Sequence, residues 1–400
     1  MAEGFCTRRF DRVREEFERN FAERGELGAS VCVIVNGEPV VDLWGGRADQ
    51  GDARRWQRNT TNVIMSCSKG VTALCAHMLI DRGLIELDAP VARYWPEFGQ
   101  HGKDGITVRM VLTHQSGVYH VDTEIPDGGL YDWAAMVARV EQTHPFWEPG
   151  TRVGYHALTI GWILGELVRR VTGRSIGAFV EHEIREPLGL ALWLGLPAEQ
   201  EPNVAPSIGF LAAGSTAAAQ DRARHVDPAT PLGKIFLNNG GWTESWDTRR
   251  AHAAEFPAGG AVSNARGLAG MYSPLALGGA VGRIRLVSRE AVARMRYAQS
   301  AAETDAVLGC RTCYTLGFAK SWFNPAGGDN VVIGEDAFGT PGMGGQIGFA
   351  DPGYRLAFAY TASRHGVGTG LNPRGQSLVD AVYAALGSPG CRPGFWIGPR

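Results

Sequence analysis

The sequence predicts an α+β protein in which one antiparallel sheet is flanked by helices from both ends of the chain. Three observations predict this fold: the chain begins with a helical pattern and a hairpin, it ends with a strand and a helix, and its long middle is mainly helical. Strands from both termini can pair in one sheet, which makes the middle an inserted, mostly helical lobe. We therefore expect an α/β lobe from residues 1–65 and 290–400, a helical lobe from residues 66–289, and a single functional site between them.

The first 46 residues carry the signals of a helix and a hairpin. Apolar residues recur at helical spacing over residues 10–21, and Gly25 is suited to end that helix. Two apolar runs follow, Ala29–Val35 and Pro39–Trp44, on either side of Asn36-Gly37. An Asn-Gly pair between two such runs is a strong hairpin signal, so two antiparallel strands are expected here.

The end of the chain and its middle show different periodicities. Large apolar residues alternate with smaller or polar ones over residues 354–360 and predict a half-buried strand, whereas residues 378–386 have helical spacing and precede Gly387. Long loops rich in glycine and proline, notably residues 202–260, separate the helical segments of the middle. These predicted helices are Lys69–Asp81, Thr107–His114, Ile160–Val171, Ile176–Glu186 and Ala265–Tyr272.

The composition excludes several classes of function. The net charge of −2 and the absence of a basic run with interleaved aromatic residues argue against a nucleic-acid partner. No apolar run is long enough for a transmembrane helix, and the charged N-terminus lacks the apolar core of a secretory signal. Seven scattered cysteines fit reduced thiols, and the histidines show no zinc-binding pattern. We expect a cytoplasmic protein that needs no metal and no cofactor.

Ser66-Cys67-Ser68-Lys69 is the strongest chemical signal. An apolar lead-in precedes it and a helical pattern follows, so the Ser66 hydroxyl would lie at the positive end of a helix, near backbone N–H groups. Lys69 lies one turn later on the same face. A partly buried lysine there would be driven towards its neutral form and could act as a base for a serine nucleophile. On these four residues alone, a polar helix start with a solvated lysine is the alternative.

Other candidate motifs are weaker. The G-x-S-x-G pattern centred on Ser175 follows a predicted helix rather than a strand, which favours Ser175 as a helix cap after Gly173. Tyr155 lies on a turn-rich loop and could point its hydroxyl into a cleft, although packing is the commoner role for such a tyrosine. The glycine-rich segment of residues 338–349 predicts close approach of a ligand or of another backbone, with a bulged edge strand as the alternative.

In this order and spacing, these segments resemble the serine β-lactamase and penicillin-binding-protein superfamily, particularly its class C-like (family VIII) esterase branch. The resemblance extends over roughly residues 28–386. The segments that carry it are Met65-Ser66-Cys67-Ser68-Lys69, Leu112-Thr113-His114-Gln115-Ser116-Gly117, the loop at Tyr155, Glu186-Pro187-Leu188-Gly189-Leu190, Glu255-Phe256-Pro257-Ala258-Gly259-Gly260, and the glycine-rich strand ending Gly348-Phe349-Ala350-Asp351-Pro352.

The resemblance implies a catalytic centre and an oxyanion hole. By position, Ser66 would be acylated, Lys69 and Tyr155 would manage the protons, and the backbone N–H groups of Ser66 and Met343 would bind the oxyanion. We also expect contacts between the substrate and five residues. These are Thr340, Gly342, His156, Trp242 and Trp246, of which the two tryptophans have packing as an alternative role.

Two departures from the family pattern bear on the substrate. Tyr155-His156-Ala157 stands where β-lactamases carry Tyr-x-Asn, and Thr340-Pro341-Gly342 stands where they carry Lys-Thr-Gly. Both departures remove polar groups that would hold a β-lactam, which favours an uncharged ester as the small-molecule partner. Hydrolysis of small carboxylic esters is therefore the expected function. The alternatives are a transacylase that moves an acyl group to an amine or alcohol in small-molecule biosynthesis, a β-lactamase or D-peptidase, and a catalytically dead binding protein.

Overall fold

The computed structural model describes residues 2–51, 54–209, 227–238, 246–324, 328–366 and 368–388. Within these residues a π-helical turn, Glu181–Arg185, joins the sixth and seventh α-helices. In chain order the α-helices are α1 (Asp11–Glu23), α2 (Ser68–Asp81), α3 (Val108–Leu112), α4 (Trp133–Gln142), α5 (Thr159–Thr172), α6 (Ile176–Val180), α7 (Glu186–Leu188), α8 (Pro231–Leu237), α9 (Arg249–Ala253), α10 (Ala265–Ala276), α11 (Arg289–Arg296) and α12 (Pro373–Leu386).

Short and long strands alternate with these helices along the chain. In chain order the strands are β1 (Glu3–Cys6), β2 (Gly28–Val35), β3 (Glu38–Gly46), β4 (Asn62–Val63), β5 (Leu192–Trp193), β6 (Val262–Ser263), β7 (Ala280–Val281), β8 (Ile284–Arg285), β9 (Ser300–Ala302), β10 (Thr312–Tyr314), β11 (Phe338–Gly342), β12 (Gln346–Asp351) and β13 (Leu356–Ala362). Strands β4 to β10 form three small sheets, β4-β6-β5, β7-β8 and β10-β9, whereas β1 and the long strands build one sheet.

The main sheet joins the two ends of the chain. Its strand order is β1-β3-β2-β13-β12-β11, and every neighbouring pair is antiparallel. The predicted hairpin supplies β2 and β3, and β2 pairs with β13 from Ala29 opposite Ala362 to Val35 opposite Leu356. The predicted α+β fold, with one antiparallel sheet shared by both termini, is confirmed.

Helices cover both faces of this sheet. Val31 and Val33 of β2 belong to the core that contains residues of α1 and α12, while Cys32 and Ile34 belong to the core that contains residues of α10. This alternation follows from the two-residue period of a strand. The predicted division into two lobes stays a prediction. Because α10 packs on β2, β12 and β13, we propose to assign it to the α/β lobe and to place the boundary before residue 265 rather than after residue 289.

Helix α2 connects the helical region to the edge of the sheet. Nearly all of its residues are buried, and it packs on α5, on α6 and on the edge strand β11. Gly70 permits this approach, because a Cβ atom there would lie 2.2 Å from the hydroxyl of Tyr272 and 2.9 Å from that of Thr340. The first turn of α2 is therefore held against β11, and this junction forms the site described below. In the described ranges, no helix has the length and apolarity needed to cross a membrane.

Several helical predictions were incomplete. The pattern over residues 107–114 forms only the short α3, and the pattern over residues 176–186 is interrupted by the π-helical turn. Helices α4, α8, α9 and α11 were not predicted. The interpretation of Ser175 agrees with the structure: its Oγ accepts a hydrogen bond from the Ala178 N–H at 3.2 Å, and Gly173 ends α5 with a φ of +73°.

Candidate active site

A strained turn presents Ser66 at the start of α2. Met65 has a φ of +48°, which is rare for a side chain of this size, and residues 65–67 form a single 3-10 turn. Ser68 holds this turn, because its Oγ donates to the Met65 carbonyl at 2.6 Å and accepts from the Ala261 N–H at 3.0 Å. Ser66 itself is only partly buried. The sequence therefore folds into a turn that exposes one hydroxyl and buries the residues around it.

Lys69 lies directly beside this hydroxyl. Its Nζ is 2.9 Å from Ser66 Oγ and 2.8 Å from the carbonyl oxygen of Ala258. The residue is only 3% exposed, and burial lowers the pKa of its ammonium to about 7. Within the described residues, no carboxylate forms an ion pair with it. Near neutral pH a large share of the molecules therefore carries a neutral amine in contact with a serine hydroxyl.

Tyr155 covers the same pair of side chains. The Lys69 Nζ lies 4.9 Å from the centre of the Tyr155 ring. Burial raises the pKa of the Tyr155 hydroxyl above its ordinary value, and a hydrogen bond with Ser66 opposes that rise without cancelling it. The Tyr155 backbone N–H donates to Asp305 Oδ1 at 3.0 Å, which fixes the loop. At neutral pH Tyr155 therefore keeps its proton and is a hydrogen-bond donor.

The structure does not bring His156 into the cleft, which corrects the prediction that it contacts the substrate. Its side chain is fully buried. Its Nδ1–H donates to the Gly154 carbonyl at 2.6 Å, and its Nε2 accepts from the Ser116 hydroxyl at 2.6 Å. Burial lowers the pKa of His156 to about 4. The ring is thus a neutral support for the Tyr155 loop.

The edge of the sheet forms the opposite wall. Gly342 ends β11 against the Ser66 turn, and a Cβ atom there would lie 2.6 Å from the Ile64 carbonyl oxygen. Met343 follows and lines the same cleft as Ser66. Thr340 is 5% exposed, and its hydroxyl lies near that of Tyr272 without a well-formed hydrogen bond. Gly342 therefore provides the close approach that its sequence context predicted, and it brings Met343 beside Ser66.

The cleft over Ser66 is mainly apolar. It encloses about 490 Å³, some of it open to solvent. The predicted residue Trp246 lines it and stacks on Phe256 with 5.4 Å between ring centres, whereas Trp242 lies outside the described residues. The remaining apolar side chains of the wall are those of Met65, Ala157, Leu158, Leu232, Phe236, Ala258 and Met343. No charged side chain lines this cleft in the part of the chain that the structure describes.

A second cavity lies on the other side of Tyr155 and measures about 390 Å³ when the space open to solvent is counted. Lys69, His114, Tyr314 and Thr340 line it. His114 Nδ1 accepts the His156 N–H at 3.1 Å, so its proton is on Nε2, and burial lowers its pKa well below the usual histidine value. Beside the Lys69 amine, the cavity therefore offers neutral polar groups between aromatic walls.

Sequence reasoning missed three contributors to this site. They are the carbonyl oxygen of Ala258, the carboxylate of Asp305 and the ring of His114. The segments that contain Ala258 and His114 were noticed as family segments, but no role was assigned to either residue. A backbone carbonyl has no side-chain signature, and Asp305 is 150 residues from Tyr155 in the chain.

Comparisons with known proteins identify the family of this chain. A profile of the Beta-lactamase family matches residues 14–381. The chain belongs to the Beta-lactamase family. It is 34% identical over 375 residues to the esterase/beta-lactamase LipL of Mycobacterium tuberculosis, an alignment that covers 90% of this chain and 82% of that protein.

Solved structures of this family share the whole fold. A family VIII carboxylesterase superposes with a TM-score of 0.82 at 35% identity, over 96% of this chain and 100% of the other. A penicillin-binding protein homologue from Caulobacter crescentus superposes with a TM-score of 0.84 at 32% identity, over 96% of this chain and 100% of the other. The resemblance to the serine β-lactamase superfamily and its esterase branch is confirmed.

Proposed function

We propose that this Beta-lactamase-family protein is a serine hydrolase that cleaves small, uncharged carboxylic esters through an acyl-enzyme on Ser66. One observation carries the proposal: the Lys69 amine lies 2.9 Å from Ser66 Oγ and has a pKa of about 7. A base is most effective when its pKa is close to the working pH, and a lysine reaches that range only by burial. The names of the similar proteins, an esterase and a carboxylesterase, support the same reaction class.

The acylation step follows from the positions of the protons. Neutral Lys69 accepts the proton of Ser66 as Oγ attacks the ester carbonyl, and the new ammonium then has the Ala258 carbonyl as a second partner. The backbone N–H groups of Ser66 and Met343 bind the oxyanion. When the tetrahedral intermediate collapses, Lys69 or the protonated Tyr155 gives a proton to the departing alkoxide. The products are an acyl-Ser66 ester and a free alcohol.

Deacylation repeats these steps with water. Water attacks the acyl carbonyl while Lys69 accepts its proton, and Ser66 Oγ leaves and recovers a proton from the Lys69 ammonium. The carboxylic acid is released, and the site returns to its starting state. Because the pKa of Tyr155 is raised, Lys69 is the group that acts as the base in both halves.

The walls of the site support an uncharged substrate. The cleft over Ser66 is lined by apolar side chains, and Ala157 is one of them. Thr340 lines the second cavity, at the position where β-lactamases carry a lysine. A substrate carboxylate there would lack the additional cation that this lysine supplies, and burying a charge without its partner is costly. Neutral esters with an apolar acyl group therefore fit better than β-lactams.

Acyl transfer is the second candidate function. Leu232, Phe236 and Trp246 enclose the cleft over Ser66 and would limit the access of water to an acyl-enzyme. An alcohol or amine would then have to reach the acyl-Ser66 ester in place of water. The balance between acid and transfer product, measured with millimolar acceptors, distinguishes the two functions.

A labelling experiment tests the assignment of the nucleophile. Wild type, Ser66→Ala and the matched control Ser175→Ala are incubated with a fluorophosphonate, and adducts are counted by intact mass beside turnover of p-nitrophenyl butyrate. We expect one adduct and full turnover for wild type and Ser175→Ala, and neither for Ser66→Ala. An adduct that persists on Ser66→Ala would contradict the proposal.

A further inference from the structure

The loop that carries Met343 is held at one carbonyl group. Met343, Gly344 and Gly345 connect β11 to β12, and the Gly344 carbonyl oxygen has three donors around it. They are the Asn372 side-chain amide at 2.7 Å, the Gly366 backbone N–H at 3.1 Å and the Arg374 guanidinium at 3.4 Å. A carbonyl oxygen has two lone pairs, so three converging donors fully occupy it. The loop is thus attached from behind, on the side of α12.

These donors are themselves fixed in the interior. Arg374 is 2% exposed and pairs with Glu26 Oε1 at 2.6 Å, while its other nitrogen donates to the Arg364 carbonyl at 2.7 Å. Tyr360 of β13 donates to the second oxygen of Glu26. Asn372 caps α12, because its Oδ1 accepts from the Arg374 backbone N–H at 3.0 Å. The sheet and α12 therefore place the donors before any substrate binds.

The loop needs such an attachment because its own sequence does not determine its shape. Gly344 and Gly345 have φ values of +92° and +90°, in the region that other residues avoid. Two glycines in succession leave the neighbouring peptide groups free to rotate. The packing is also close, since a Cβ atom on Gly345 would lie 2.1 Å from Asn372 Nδ2. The Gly345 N–H donates to the Gly342 carbonyl across the turn at 3.2 Å, and the donors around Gly344 hold this turn from outside the loop.

We propose that Asn372, supported by the buried Arg374–Glu26 pair, is a positioning residue for the oxyanion hole. By holding the Gly344 carbonyl it fixes the Gly344–Gly345 peptide group, whose N–H donates to the Gly342 carbonyl at 3.2 Å. That carbonyl shares a peptide group with the Met343 N–H, which is thereby directed to the cleft over Ser66. This inference rests on the proposed function. A residue that only caps α12 would affect stability alone, whereas a positioning residue affects the stabilisation of the transition state.

One substitution separates capping from positioning. Asn372→Ser keeps an oxygen suited to cap a helix but removes the amide that reaches Gly344. The matched control is Asn264→Ser at the start of α10, where Oδ1 accepts from the Gly267 N–H at 2.9 Å and, among the described residues, Nδ2 has no partner. The measurements are kcat and KM for p-nitrophenyl butyrate, the pH dependence of kcat/KM, and the Ki of phenylboronic acid. The boronate forms a tetrahedral adduct with serine that imitates the oxyanion.

For Asn372→Ser we expect kcat to fall about 10- to 100-fold, KM to stay within about twofold, and the boronate Ki to rise by a factor similar to the loss in kcat. The rising limb of the pH profile should stay in place, because Lys69 is untouched. Asn264→Ser should match wild type. If kcat and boronate affinity of Asn372→Ser equal those of this control, the inference is overturned.

A second variant keeps the test decisive if Asn372→Ser does not fold. Asn372→Asp has the same shape and keeps the cap, but it places an oxygen instead of an N–H group opposite the Gly344 carbonyl. The same matched losses in kcat and boronate affinity are expected, and unchanged values overturn the inference. Failure of the proposed function looks different: wild type would then not bind the boronate, or Ser66→Ala would retain turnover, and both proposals would fall.

Discussion

Replacing Lys69 by methionine should abolish turnover and yet stabilise the folded protein at low pH. Methionine has a similar length and can fill the site of a side chain that is 3% exposed. The pKa of Lys69 falls from its usual 10.5 to about 7 on burial. Each pH unit of this difference corresponds to about 1.4 kcal/mol, so the charged form costs the folded state about 5 kcal/mol. The substitution removes that cost.

The sign of the pH dependence follows from the two pKa values. Below about pH 7, Lys69 is protonated in both the folded and the unfolded chain, and the full cost is present. Between about pH 7 and pH 10.5 the unfolded chain binds the proton and the folded one does not, so the stability of wild type rises with pH by about 1.4 kcal/mol per unit. Above that window the cost is gone.

Lost hydrogen bonds reduce the net gain. Methionine cannot donate to the Ala258 carbonyl or to Ser66, and a buried acceptor without its donor costs about 1–3 kcal/mol. We therefore expect Lys69→Met to be more stable than wild type by about 2–3 kcal/mol at pH 6.5. This advantage should shrink by about 3 kcal/mol between pH 7 and pH 9.5.

Equilibrium unfolding in urea at several pH values measures this difference. Lys234→Met is the matched control, because Lys234 is exposed and its ammonium stays in water in both states. Its stability difference should be flat over the same range. The wild-type kcat/KM should rise with an apparent pKa of about 7, the same value that governs the stability difference. A constant difference for Lys69→Met from pH 6.5 to 9.5 would show that Lys69 stays charged in the folded protein, and Lys69 could not then be the base.

Three further outcomes test the site from other directions. Lys69→Arg should lose activity about 10²–10⁴-fold, nearly as much as Lys69→Ala, because arginine cannot release its proton. The measurement is kcat at pH 7.5, and near-wild-type turnover of Lys69→Arg would show that Lys69 acts only through its charge and is not the base. Short p-nitrophenyl esters should be hydrolysed several orders of magnitude faster than nitrocefin, and the double variant Ala157→Asn, Thr340→Lys should narrow that difference in rate. Comparable wild-type rates on both substrates would refute the inference that the residues lining the site disfavour β-lactams. Tyr155→Phe should slow turnover and leave the apparent pKa of kcat/KM near 7. Loss of the rising limb of the pH profile in this variant would show that Tyr155, not Lys69, is the base.

The elements at the two ends of the chain could be predicted because their signals are local. Asn36-Gly37 indicates a hairpin by itself, and Gly387 ends α12 with the left-handed φ of +74° that glycine permits. The helix α4 was missed because its signal is weak: only three of its ten residues are buried, and it begins with a tryptophan. The assignment of α10 depends on contacts with strands at least 70 residues away in the chain, which no local pattern reveals.

The candidate site shows the same contrast. Ser66 and Lys69 are three residues apart across the start of α2, so their contact at 2.9 Å could be foreseen from the helical pattern. The prediction that His156 contacts the substrate was wrong because it relied on the neighbouring Tyr155, which faces the cleft. The His156 ring is instead held in the interior by hydrogen bonds with Gly154 and with Ser116, 40 residues earlier. The sequence predicted that a partly buried Lys69 would shift towards its neutral form, whereas the nearly complete burial that lowers its pKa to about 7 is a property of the packed structure.

Among the residues that the structure describes, no second cation lines the cavities at Ser66, and this decides how Lys69 and Tyr155 divide the proton transfers. A lysine at position 340, as in the Lys-Thr-Gly pattern, would stand by the second cavity with Lys69 and Tyr155 and would favour the ionised form of the tyrosine. With Thr340 in that place, burial raises the pKa of Tyr155 and lowers that of Lys69. The same loss of water therefore shifts the two pKa values in opposite directions, so that the phenol keeps its proton and the amine gives its proton up. Reversible proton transfer to and from Ser66 requires a single acid and a single base whose pKa values are separated.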